Sequence, residues 1–126
     1  AVPDFKRVVD NPNNAYSTLL LYVSQARSNA KQARDDLMRN ARKLKAGEWP
    51  YPLVDLFLGK KSPDVVEAAA DTDAKRCEAR FYIGQWHLIR GGAGGPAKTA
   101  LQAAVDSCPK DFVEYAAAVA QLRQSK

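Results

Sequence analysis

The residues that could carry chemistry are few: one histidine, His87, two cysteines, Cys77 and Cys108, and the glycine cluster "GGAGG" at residues 91–95. A zinc or nucleophile role for His87 needs convergent partners, and the chain has no second histidine and no HExxH spacing. His87 therefore reads as a histidine packed between helices. The glycine cluster has no strand before it and no Lys-Ser/Thr pair after it, so it reads as a turn between helices rather than a phosphate cradle. A GxSxG elbow and a dinucleotide fingerprint are also missing. No catalytic, cofactor-binding or metal-ligating residue is expected, and the chain is not read as an enzyme.

Charge is the other chemical feature. Nineteen Lys and Arg stand against 14 Asp and Glu, a net +5. Much of the excess lies in one stretch, and at about 100° per residue Arg27, Lys31, Arg34, Arg42 and Lys45 gather on one side of a helix. Such a side is either a solvated face or a patch that draws an acidic protein, anionic lipid or nucleic acid. Asp35 and Asp36 dilute it, and no aromatics alternate with the cations as a single-strand binder requires, which disfavours nucleic acid.

These residues must be positioned by helices. A chain of 126 residues makes one domain, hiding roughly two-thirds of its unfolded surface. Hydrophobic residues are 46% and charged ones 26%, ordinary for a globular chain. Alanine is abundant and β-branched residues are scattered, which favours helix. No apolar run approaches the roughly 18 residues of a membrane span. The chain starts without Met or a basic-then-apolar leader, so it is expected to be a processed form or a piece of a longer chain.

Punctuation divides the chain into helices without strands. The pattern predicts helices over Ala15–Arg27, entered from the turn Asp10–Asn14, and over Ala30–Lys45, stopped by the prolines of "GEWPYP". A short helix, Leu53–Leu58, is closed by Gly59. Ser62 caps the next, with Pro63 in its first turn. Helices over Ala74–Arg90, Ala97–Val105 and Phe112–Leu122 follow, the last with Asp111 and Glu114 at capping-box spacing.

Residues 77–110 resemble one tetratricopeptide repeat. Counted from Cys77, Ile83 and Gly84 fall where that family has Leu-Gly. Counted back from the closing Pro109, Ala97, Leu101 and Ala104 fall on its small, large and small positions, with one residue inserted in "GGAGGP". The stretch "VVDNPNNAYSTLLLY", with Pro12 closing, is a fair second match, although Tyr22 replaces the small residue. "WPYPLVDLFLGKKSPDVVEAAADTD" resembles a degenerate repeat of bacterial helical-repeat proteins, envelope lipoproteins among them.

The resemblance implies a single all-α domain over residues 1–126: a short array of antiparallel helical hairpins with right-handed superhelical stacking. It implies a scaffold that binds a partner protein or peptide in a concave, partly apolar groove, with no cofactor. The groove positions would be Tyr16, Leu19, Val23 and Arg27 in the earlier repeat, and Glu78, Phe81, Gln85, Leu88 and Ile89 in the later one. A basic module docking on anionic lipid or nucleic acid is the alternative. In an antiparallel hairpin Cys77 and Cys108 would lie side by side, either bridged or as two buried free thiols. A bridge would place the chain in an oxidising compartment such as a periplasm. In the last helix, Phe112, Tyr115, Val119 and Leu122 are expected to face inward. Val113, Ala117 and Ala120 then leave apolar surface to be covered by a second copy of the chain or by residues outside this sequence, unless the alanines serve only as helix formers.

Overall fold

The computed structural model describes residues 15–90 and 95–124. The turn at residues 10–14, with Pro12, and residues 91–94 of the glycine turn lie outside the described residues. Everything regular in the described residues is helical. These residues fall into two compact units, one reaching to Ser62 and the other starting at Pro63.

In the first unit, α1 (Ala15–Ala26) and α2 (Ala30–Ala41) pack together, and α3 (Tyr51–Phe57) packs on α1. α1 buries Leu19, Leu20, Val23 and Ala26, the three- and four-residue spacing of one helical stripe. Asn29 caps α2 by accepting the N–H of Gln32 at 3.3 Å, and Ala33, Leu37 and Ala41 form its buried stripe. α2 is shorter than the Ala30–Lys45 expected. Its end tightens into three-residue bonds, Lys43 to Asn40 and Leu44 to Ala41, before the prolines are reached. α3 closes where the sequence placed its stop. Gly59 takes a positive φ of 79°, Lys60 donates to the Asp55 carbonyl at 2.8 Å and Gly59 to Leu56 at 3.2 Å. Both bonds of a Schellman closure are present, which a residue with a Cβ would strain. The Arg34 guanidinium donates to the Leu58 carbonyl at 3.4 Å, and the rings of Tyr22 and Phe57 meet at 4.8 Å.

The second unit contains α4 (Pro63–Ala69), α5 (Asp73–Ile89), α6 (Gly95–Ser107) and α7 (Val113–Gln124). Thr72 caps α5 through a 3.1 Å bond from the Lys75 N–H. α5 and α6 are an antiparallel pair, and two crossings fix the register. Cys77 and Cys108 are disulfide-bonded with Cα atoms 4.7 Å apart. Seven residues along α5 and seven back along α6, Gly84 faces Leu101, where an added Cβ would lie 2.8 Å from Leu101 Cδ2 and 3.5 Å from its backbone nitrogen. Ala97, Leu101 and Ala104 are buried on α6. The small residues let the helices approach, and Leu101 occupies the space left by the absent Gly84 side chain.

α7 packs on α5 and α6 in a rotation the sequence did not predict. Its buried residues are Glu114, Ala117 and Ala118, while Phe112, Tyr115, Val119 and Leu122 are only half-buried. The capping box is not formed either. The helix begins at Val113, the Phe112 carbonyl accepts from Tyr115 and Ala116, and Glu114 is buried rather than reaching back to Asp111. Small Ala117 and Ala118 allow close packing, and Gln121 finds a hydrogen-bonding partner on α5. Among the described residues, no helix is long and apolar enough to cross a membrane.

Candidate functional site

The faces of α4, α5 and α6 converge on an open cleft of about 520 Å³ in the second unit. From α5 come Arg80, Ile83 and His87, one helical face at three- and four-residue spacing. From α6 come Pro96, Thr99, Ala100 and Ala103, and from α4 Pro63, Asp64 and Glu67. Ile83 and the two alanines make an apolar floor. Glu67 and Arg80 pair across α4 and α5, Nε to Oε1 at 3.0 Å, and hold one rim. The half-buried His87 stands with its ring edge-on to Trp86 at 5.0 Å, and Arg90 lies 4.5 Å over the Trp86 ring. His87 is thus a cleft-side group, not one enclosed between helices. The cleft has the size and mixed character of a site for a small molecule or a few side chains of a peptide.

None of the nine groove positions drawn from the repeat resemblance lines this cleft. Leu19 and Phe81 are 0% exposed, and Val23, Glu78 and Gln85 are also buried. Tyr16, Leu88 and Ile89 are half-buried, and only Arg27 is exposed. The groove assignment is corrected for the five buried residues, Leu19, Val23, Glu78, Phe81 and Gln85, and for the polar two the cause is α7. Gln121 donates to Gln85 Oε1 at 2.8 Å and accepts from Gln85 in return, and Glu114 sits in the electrostatic range of Glu78. Leu19 and Val23 belong to the packing stripe of α1.

This α5–α7 seam is the most unusual electrostatic feature of the unit. Burial pushes the Glu114 carboxyl above its ordinary value; a hydrogen bond from its own backbone N–H opposes this, and Glu78 adds to the rise. Sequence reasoning missed both seam and cleft. Glu67 and Arg80 are 13 residues apart and Gln85 and Gln121 are 36 apart, so no local period marks either pair.

The basic residues are all exposed, but they do not form one helical row. α2 spans Ala30–Ala41, so Arg27 and Lys45 fall outside it and the helical projection does not extend to them. Lys31, Arg34 and Arg42 keep the arrangement, because Arg42 retains helical dihedrals of −63° and −21°. Lys45 lies 3.9 Å from Glu48, and Arg39 pairs with Asp36.

The chain matches no model of a known protein family and no solved structure.

Proposed function

We propose that this chain is a non-enzymatic protein–protein interaction module, built on tetratricopeptide-like hairpins stacked in a right-handed array. It grips an extended partner segment in the cleft between α4, α5 and α6. The observation that carries the proposal is the cleft itself: an apolar floor of Ile83, Ala100 and Ala103 below a rim stiffened by the Glu67–Arg80 pair. An apolar side chain of the partner fills the floor while its backbone meets the polar rim at Thr99 and His87. The repeat reading is supported by the close crossing at Gly84 and Leu101. The Cys77–Cys108 bond supports work in an oxidising compartment, where such a bond persists.

A photo-crosslinking residue at Thr99, on the exposed rim, tests the proposal in the native cell. The expected result is a discrete cross-linked protein that disappears when Ala103→Trp fills the cleft in a chain whose helix content is unchanged. Identical products from the distant, exposed Lys110 would overturn it, as would products insensitive to Ala103→Trp.

A further inference from the structure

The net charge of this chain lies entirely in one part of it. Residues 4–62 carry eleven Lys and Arg against six Asp and Glu, a net +5, whereas residues 63–126 carry eight of each. Within the basic part, α2 turns Ala33, Leu37 and Ala41 inward, so its outer side is a free convex surface. Lys31, Met38 and Arg42 follow one another along that side, flanked by Arg34 and Asp35. Met38 is 45% exposed, a large apolar side chain standing among cations. Just past Arg42, the exposed Lys43 and Lys45 border a cleft of about 260 Å³ that Trp49 and Tyr51 also line.

We propose that the outer side of α2 and the turn after it dock on an anionic lipid surface. Cations spread over a convex face, an apolar side chain at their centre and aromatic rings beside lysines are what a headgroup layer engages. The cations meet phosphates, Met38 enters the boundary below them, and only the accessible edges of the half-buried Trp49 and Tyr51 reach the headgroup layer, the Trp49 Nε1 being buried. A helix of 12 residues, about 18 Å long, meets a plane over its full length. An acidic peptide on the same convex face stays open to water on three sides. Nucleic acid would want aromatics interleaved along the stripe, and Met38 gains nothing from a phosphate backbone. Asp35 on α2 and Glu48 in the turn, 3.9 Å from Lys45, are the exposed groups that an anionic surface repels, while the half-buried Asp36 is paired with Arg39.

The test is co-sedimentation of the full chain with vesicles of phosphatidylcholine, with and without phosphatidylglycerol, at low and high salt. Binding is expected only with phosphatidylglycerol and is expected to weaken as salt rises. Lys31→Glu and Arg42→Glu should each lower partitioning by about fivefold or more, and Asp35→Asn should raise it a few-fold. Met38→Ser should weaken the part of the binding that survives high salt. All four positions are exposed, and circular dichroism checks that each variant keeps its helix. Absence of binding to phosphatidylglycerol vesicles at low salt overturns the proposal. So does equal binding to phosphatidylcholine alone, insensitivity to the four substitutions, or tighter binding to duplex DNA or polyglutamate in the same buffer.

Discussion

At Gly84 the deciding quantity is a single missing carbon. A Cβ there would approach Leu101 Cδ2 to 2.8 Å and Cγ to 2.9 Å, closer than real contacts allow, so Leu101 has to move out of its packed rotamer. Alanine in place of a helical glycine is ordinarily favourable by up to about 1 kcal/mol. At this crossing the steric cost opposes that gain. Gly84→Leu should destabilise the fold by about 1–3 kcal/mol, and each kcal/mol lowers the melting temperature by roughly 3–6 °C. Gly84→Ala combined with Leu101→Ala should cost less than the two changes added together, because the second opens the space the first needs. A melting temperature for Gly84→Leu equal to that of the parent chain would mean the crossing yields without penalty. The position was legible in the sequence because a glycine inside a helix has to be explained by close approach. Its partner became legible only through the repeat register.

Among the elements, α7 shows most clearly where sequence and structure part. Phe112, Tyr115, Val119 and Leu122 have the spacing of a core stripe, yet the helix buries Glu114, Ala117 and Ala118 instead. Periodicity weighs side chains one by one, whereas packing weighs them against the surface they meet. The face α5 offers to α7 carries the polar Glu78 and Gln85, so small and polar residues match it better than large rings. The cost is a buried carboxylate. Because burial raises the Glu114 pKa above 4.5, the folded chain holds that proton more tightly than the unfolded chain does. Its stabilising effect is therefore complete below 4.5 and is lost as pH climbs through the raised value, with Glu78 the charged group facing it from α5. Glu114→Gln should melt higher than the parent chain at neutral pH, and the advantage should vanish near pH 4. An equal advantage at both pH values would assign the gain to something other than ionisation. Gln121→Ala should cost about 1–3 kcal/mol in urea unfolding, since it strips the buried Gln85 amide of a reciprocal partner.

For the molecule at large, the helical character of the described residues and the order of their helices followed from abundant alanine and from proline and glycine stops that act locally. The division at Ser62 and Pro63 did not, because it depends on which distant residues touch, and a one-dimensional pattern carries no such list. The disulfide lies wholly within the second unit and joins residues 31 apart, so it constrains the unfolded ensemble of that unit alone. In the chain-entropy estimate a closed loop of that length contributes about 3–4 kcal/mol. Reduction should therefore have a local signature. Backbone amides of α5 and α6 should exchange a few hundredfold faster in the reduced chain at neutral pH, with those of α7 following because it packs on both. Amides of α1, α2 and α3 should keep their rates, since no bond of the first unit changes. Hydrogen exchange read by mass spectrometry on oxidised and alkylated-reduced protein measures both regions in one experiment. Equal acceleration in α1 and α5 would show that the chain opens as one cooperative body. No acceleration in either would show that the helix crossing at Gly84 and Leu101 holds the hairpin without its bridge.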